Sequence, residues 1–197
     1  MSSSDQDTPG KLSNLRDPKL YYTGHNLKSG KAIVQEKRDG AWTVYDSKQM
    51  AFKVVYTTSE FPVSLNDDQD IKKHDNIMAH GTLGLVNKNG TVCRIVDFAP
   101  GFDCMMHRTQ SLDYGVVIQG DIELVMDSGE TQMMHPGDVA VQRSTMHAWR
   151  NPSATEWARM LFVLQDCQPL QLGGKRLTED LGRGTEGLPP SGNDSSK

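Results

Sequence analysis

The sequence predicts an all-β fold, an antiparallel sandwich or barrel, and two observations indicate it. Short runs rich in Val, Ile, Thr and Tyr recur along the chain, and Gly, Pro, Asn or Asp separate them. Many short strands at roughly even spacing are typical of antiparallel sandwiches and barrels. The length of 197 residues suits one compact domain with a sizeable core better than two. We therefore expect a single β domain.

The strands are predicted in order from these runs. They cover residues 31–35, 42–46, 51–58, 91–100, 114–126, 138–142 and 160–164. The segments NKNG at 87–90 and DSGE at 127–130 are strong turn signals between runs. Only two short stretches favour a helix, residues 67–78 and 176–181. The pattern is therefore that of strands with short helices near the ends.

Both ends of the chain have a different composition from the middle. Residues 1–18 are rich in Ser, Asp, Lys and Pro without a hydrophobic period, and residues 182–197 form a low-complexity stretch with adjacent prolines. We expect a disordered N-terminal arm at 1–18, one domain at 19–181 and a disordered C-terminal tail at 182–197.

Charge and composition exclude several classes of partner. The net charge of −4 and the pI of about 5.8 argue against nucleic-acid binding, which needs a concentrated basic surface. No secretory signal and no apolar run of about 18 residues are visible, so neither export nor a membrane partner is expected. Three cysteines without a C-x-x-C pair fit reduced thiols. The sequence predicts a cytoplasmic protein.

Two segments carry the residues that suggest chemistry. The first, PGFDCMMHRTQSLDYG, spans residues 100–115, and the second, PGDVAVQRSTMHAWRN, spans residues 136–151. Together they resemble the two motifs of the cupin superfamily, G-x5-H-x-H-x3,4-E-x6-G and G-x5-P-x-G-x2-H-x3-N. The matching positions are Gly101, His107 and Gly120 in the first motif and Gly137, His147 and Asn151 in the second. This resemblance implies a single cupin domain, a jelly-roll type antiparallel β-barrel.

The chain departs from the family pattern at several motif positions. Thr109 stands where the family has its second histidine, and Asp113 stands where it has glutamate. In the second motif Arg143 replaces proline, Thr145 replaces glycine and one residue is missing before the histidine. These changes leave three metal-binding side chains where the family usually has four.

The resemblance and the residue types together predict a metal site of His107, Asp113 and His147. Imidazole and carboxylate ligands suit Fe, Mn, Ni, Zn or Co, and two histidines with one carboxylate are the ligand set of non-haem Fe(II) oxygenases. We therefore expect a divalent metal ion, with Fe(II) favoured. The other interpretation of the histidines is a hydrogen-bonded place in the core. Asp113 could instead be a turn residue or a partner of Arg108 or Arg143.

Two more residues are expected in a substrate pocket. Thr109 would share a strand face with the first histidine, and Trp149 would share one with the second. Aromatic walls are usual in small-molecule sites, although an ordinary strand threonine and a core tryptophan are the alternatives. No catalytic residue beyond the metal ligands can be named from the sequence.

Within the superfamily, the strings HRTQSLDYG and HAWRN resemble small single-domain fungal and bacterial members. Some of the fungal members are called cupin-domain oxidoreductases or decarboxylases of secondary-metabolite clusters. The resemblance implies a metal-dependent enzyme, most simply a dioxygenase-like tailoring oxidoreductase of polyketide-like or aromatic metabolism, with a small-molecule substrate and a homodimeric state. A metal-assisted decarboxylase of a keto- or hydroxy-acid and a non-catalytic small-molecule binder are the two alternatives.

Overall fold

The computed structural model describes residues 9–81 and 83–194, and strands dominate this part of the chain. The chain begins with an antiparallel hairpin of β1 (Leu20–His25) and β2 (Ala32–Arg38). A six-stranded sheet follows in the order β3 (Thr43–Tyr45), β4 (Met50–Thr58), β5 (Thr91–Phe98), β11 (Ala158–Asp166), β6 (Ser111–Gln119) and β9 (Val139–Arg143). A three-stranded sheet has the order β10 (His147–Arg150), β7 (Ile122–Met126) and β8 (Thr131–Met134). All pairings are antiparallel.

The core lies between the six-stranded and the three-stranded sheets. Trp149 of β10 contacts Phe162 of β11 across the two sheets, with 5.4 Å between the ring centroids. One buried cluster contains residues of both sheets, among them Phe98 and Ile122, which are 1% and 0% exposed. Packing one face of each sheet on the core favours the β-branched and aromatic residues whose runs predict the strands. The all-β prediction is confirmed.

The two predicted helices have different outcomes. The first is present as α1 (Gln69–His80), displaced by two residues from 67–78. The second, at 176–181, is wrong, because its first two residues belong to β13 (Lys175–Leu177), which forms a hairpin with β12 (Leu170–Leu172), and no helix follows within this described range. Gly173 and Gly174 make its turn with φ of 58° and 74°, which glycine adopts without steric cost. No described helix is long and apolar enough to cross a membrane.

The terminal segments also differ from the expectation of disorder. Leu15 is 8% exposed and Asn193 is 5% exposed, so both pack against the domain. The Asn193 side-chain amide donates to the carbonyl of Gln110 and to Asp166, at 2.9 and 2.7 Å. These partners are distant in sequence, and composition alone does not reveal them. The rest of the two predicted disordered segments, residues 1–8 and 195–197, lies outside the described residues.

Replacing Gly90 with alanine is expected to destabilise the protein by about 1–3 kcal/mol, the usual cost of overpacking. Gly90 ends the predicted turn at 87–90, and an added Cβ would lie 1.8 Å from the carbonyl oxygen of Thr58 and 2.8 Å from the nitrogen of Ser59. Both contacts are backbone, so neither can rotate away. Urea unfolding of Gly90→Ala measures the loss.

Gly129→Ala is the matched control, because nothing lies within 4 Å of its added Cβ. Its φ of 89° is unfavourable for alanine, which costs about 1–2 kcal/mol. Gly90 has no positive φ, so Gly90→Ala would be the milder change if backbone strain alone set the cost. That result would contradict the steric argument.

Candidate functional site

A largely apolar cavity lies inside the barrel. It encloses about 520 Å³ of space free of atoms, counting the part that opens to solvent. Its walls include apolar side chains such as Phe52, Val96 and Leu164, and its polar members are Arg94, His107, Asp113 and His147. A concave apolar space with a few converging polar groups is the usual form of a small-molecule site.

His107 and His147 face each other across a pair of backbone hydrogen bonds. The amide nitrogen of each lies 2.8–2.9 Å from the carbonyl oxygen of the other. This pairing of the segment before β6 with the first residue of β10 places the ring centroids 4.4 Å apart. The two predicted ligands from separate motifs are therefore neighbours in space.

Hydrogen bonds settle the tautomer of both rings. Nδ1 of His107 lies 2.9 Å from the carbonyl oxygen of Met105, and Nδ1 of His147 lies 3.0 Å from that of Thr145. A carbonyl oxygen can only accept, so each Nδ1 carries the proton and each Nε2 keeps its lone pair. Burial lowers the pKa of both rings, that of His147 to about 3 with a further contribution from His107. Both imidazoles are therefore neutral at physiological pH.

Asp113 lines the same cavity from β6. It is 4% exposed, and its Oδ2 accepts a weak hydrogen bond from the Thr109 hydroxyl at 3.4 Å. Its buried Oδ1 has no hydrogen-bond partner among the described residues. Burial raises the pKa of Asp113 to about 6, although the Thr109 and Ser111 hydroxyls oppose this shift. The carboxylate thus presents an unsatisfied oxygen in a poorly solvated place.

The two predicted pocket residues are placed differently. Trp149 lines the cavity. Its ring and that of His147 are in edge-to-face contact, with 5.4 Å between the ring centroids. Thr109 is 1% exposed and lies behind Asp113, where its hydroxyl also accepts a hydrogen bond from Ser111 at 2.7 Å. Thr109 is not among the residues that line the cavity. It supports the carboxylate instead of facing a ligand.

Arg94 is a cavity residue that the sequence analysis missed. It lies on β5, where Val92, Arg94 and Val96 are at most 3% exposed and alternate with less buried residues. Its sequence signal is a charged residue at a position that the strand pattern assigns to the buried face. Burial lowers the pKa of Arg94 to about 10, so it keeps its positive charge at neutral pH.

The two histidines fit a divalent metal ion, because their Nε2 lone pairs are free and a backbone carbonyl orients each ring through Nδ1. Among the described residues, no three side chains of His, Cys, Asp or Glu converge closely enough to hold an ion. The structure therefore brings together two of the three predicted ligands. Asp113 lines the same cavity, and its role as the third ligand stays a prediction.

The chain is similar in sequence to several known proteins. The Cupin domain family model matches residues 94–164. The chain is 37% identical over 191 residues to Phomopsin biosynthesis cluster protein D of Diaporthe leptostromiformis, covering 97% of this chain and 98% of that protein. It is 40% identical over 164 residues to the cupin-domain-containing oxidoreductase fogC of Aspergillus ruber, covering 82% and 79%.

A solved structure, the polyketide cyclase RemF from Streptomyces resistomycificus, aligns with 67% of this chain and 70% of its own at 16% identity and a TM-score of 0.41. The Diaporthe leptostromiformis relative matches nearly from end to end, the Aspergillus ruber relative matches about four fifths of each chain, and the family model covers most of the strands that build the cavity. The chain belongs to the cupin superfamily.

Proposed function

We propose that this protein is a tailoring enzyme of secondary metabolism that carries out an oxidoreductase step on a small, largely apolar organic molecule. The observation that carries the proposal is a pair of neutral imidazoles that line an apolar cavity and whose Nδ1 atoms are bound to backbone carbonyls, which leaves each Nε2 as a ligand atom. Three relatives are named oxidoreductases, which supports the reaction class, and another is named as a protein of a biosynthesis cluster, which supports a place in secondary metabolism.

We further propose that His107 and His147 hold a divalent ion, Fe(II) before Mn, Ni, Zn or Co. Asp113 is the candidate third ligand. Such an ion, when bound, supplies Lewis-acid polarisation of a chelating oxygen pair or, as Fe(II), activation of O2.

The side chains of the cavity have separate tasks in this proposal. Phe52, Trp149 and Phe162 exclude water and orient the apolar body of the substrate by contact. The unpartnered Oδ1 of Asp113 either coordinates or accepts a proton from the substrate. The hydroxyl of Thr109 keeps that carboxylate in place from behind.

A second candidate function is a non-catalytic small-molecule binder. The observation that favours it is the absence of three converging metal-binding side chains among the described residues. Metal content of the protein, purified without chelators, separates the two candidates. The enzyme proposal expects about one divalent ion per chain, held by a mononuclear site.

Both His107→Ala and His147→Ala are expected to lose that ion, because either change leaves a single imidazole in the cavity. His135→Ala is the matched control, since His135 is exposed and paired with Asp121 at 3.0 Å outside the cavity. Elemental analysis of the three variants gives the answer. A metal-free wild type, or equal metal content in all variants, would refute the metal site.

The reaction class needs a separate measurement. Oxygen uptake with a panel of aromatic and polyketide-like acids is the result that the oxidoreductase proposal expects. Release of CO2 without oxygen uptake would establish a decarboxylase instead. Binding of the panel without any turnover by metal-loaded protein would establish the binder.

A further inference from the structure

Arg94 is a buried guanidinium in the wall of the cavity, and no carboxylate of the described residues is in ion-pair contact with it. Its Nη2 atom donates to the carbonyl oxygens of Gly84 and Leu85, both at 2.8 Å. Its Nε is buried and has no hydrogen-bond partner among the described residues. The Asp113 carboxylate of the same cavity lies beyond ion-pair contact, although its negative charge raises the pKa of Arg94 from a distance. One end of the guanidinium is thus anchored, and its buried Nε–H is left without an acceptor.

The other buried Lys and Arg side chains of the described residues form ion pairs. Lys53, with a fully buried side chain, contacts Asp17 at 2.7 Å. Arg159 contacts Asp97 through two nitrogens at 2.6 and 2.7 Å. Both are neutralised by a carboxylate of the chain itself, as buried charges normally are. Arg94 is the exception, and it is the one that lines the cavity.

Removing a guanidinium from water is unfavourable unless an anion compensates its charge. Two neutral carbonyls supply hydrogen bonds but no charge, and the charge of Asp113 acts only from a distance. A carboxylate is the group that best matches the planar donor set of arginine. The side chain also lies over Phe52, with 5.2 Å from its Cζ to the ring centroid, which fixes the guanidinium plane against an apolar wall. The missing partner therefore has the chemistry of a carboxylate ligand.

We propose that Arg94 binds the carboxylate of the substrate, so that the cavity selects organic acids with an apolar body. The inference rests on the proposed function only in treating the cavity as the substrate site. The histidines then lie beside the bound molecule, while Arg94 sets its orientation. Neutral analogues of the same shape lack the negative charge that would compensate the guanidinium of Arg94, so they should bind more weakly.

Benzoate and its neutral counterpart benzamide are suitable probes, and calorimetry on the protein as purified measures their affinities. We expect benzoate to bind at least about tenfold more tightly than benzamide, the effect of one charge-assisted hydrogen bond. Arg94→Met should remove this preference, and Arg94→Lys should keep part of it because it keeps the charge. Arg143→Met, at an exposed arginine on β9, is the matched control and should bind both probes as the wild type does.

Equal affinities of wild type for the two probes, or no binding of benzoate, would overturn the inference. So would a benzoate preference that survives in folded Arg94→Met. If Arg94→Met does not fold, NMR of the wild type decides: benzoate, and not benzamide, should shift the Nε–H resonance of Arg94. An unmoved resonance on benzoate binding would count against the assignment.

The same titrations after chelator treatment separate this inference from the metal proposal. Benzoate binding that persists without metal and depends on Arg94 supports the inference even if no metal and no turnover are ever found. Benzoate binding that vanishes with the metal and is indifferent to Arg94→Met overturns it while leaving the metal proposal intact.

Discussion

Replacing Asp97 with asparagine is expected to lower the free energy of unfolding by about 3–5 kcal/mol, because it leaves a buried guanidinium without its anion. Asp97 and Arg159 have side chains that are only 1% and 7% exposed, and they form a two-point ion pair. Asparagine keeps the shape but removes the charge and turns one acceptor into a donor that faces the guanidinium. Urea unfolding at neutral pH measures the effect.

The loss should extend to the N-terminal segment. The Ser13 hydroxyl donates to Asp97, and Nη1 of Arg159 donates to the carbonyl oxygen of Arg16 at 2.7 Å. Hydrogen exchange of residues 13–16 should therefore accelerate in Asp97→Asn. Glu60→Gln is the control, because its ion pair with Lys73 lies at the solvated surface. Matching unfolding curves for the two variants would contradict the importance of the buried pair.

Replacing Asn151 with aspartate is expected to cost about 4 kcal/mol or more at pH 8, since a buried carboxylate can shift its pKa by several units. Asn151 is 1% exposed. Its side-chain nitrogen lies 2.8–3.1 Å from three carbonyl oxygens, those of Phe98, Ala99 and Glu156. A carboxylate of the same shape would place a negative oxygen against these three acceptors.

The sign of the pH dependence follows from the direction of that shift. In the unfolded chain the new carboxyl has an ordinary pKa of about 3.9, whereas in the folded protein its pKa is raised. The variant should therefore approach wild-type stability as the pH falls toward 4 and lose stability as the pH rises through the folded pKa. Unfolding at several pH values tests this. Asn76→Asp, on the exposed face of α1, should show no such trend, and a flat difference for Asn151→Asp would contradict the argument.

The strands were predictable because β-branched and aromatic residues fit the half-buried surface of a sheet, and this preference is visible within a few neighbouring residues. In β5 the positions of Val92, Val96 and Phe98 carry this signal directly. The helix predicted at 176–181 failed because two adjacent glycines with positive φ make a hairpin turn, and the apolar content of so short a stretch does not separate helix from strand.

Motif spacing in the sequence predicts which residues of the candidate site are neighbours. It does not predict contacts with residues that are distant in sequence. His107 and His147 come from two motifs whose separation matches a hairpin, and they are neighbours in space. Thr109 was expected on the strand of His107, yet regular pairing in β6 starts only at residue 111, so it turns behind Asp113. The unsatisfied state of Arg94 depends on which carboxylates lie near it, and residue spacing carries no information on that.

The packing of the C-terminal segment has a consequence for the cavity. Ser191 accepts a hydrogen bond from the amide of Val86 at 3.0 Å, and its own amide donates to Glu179 at 2.8 Å. The stretch it supports includes Leu85, which lines the cavity and holds Arg94 through its carbonyl. Residues 182–194 thus form an outer layer behind this part of the cavity wall. None of them lines the cavity, so substitutions in this layer would reshape the cavity without changing a residue that lines it.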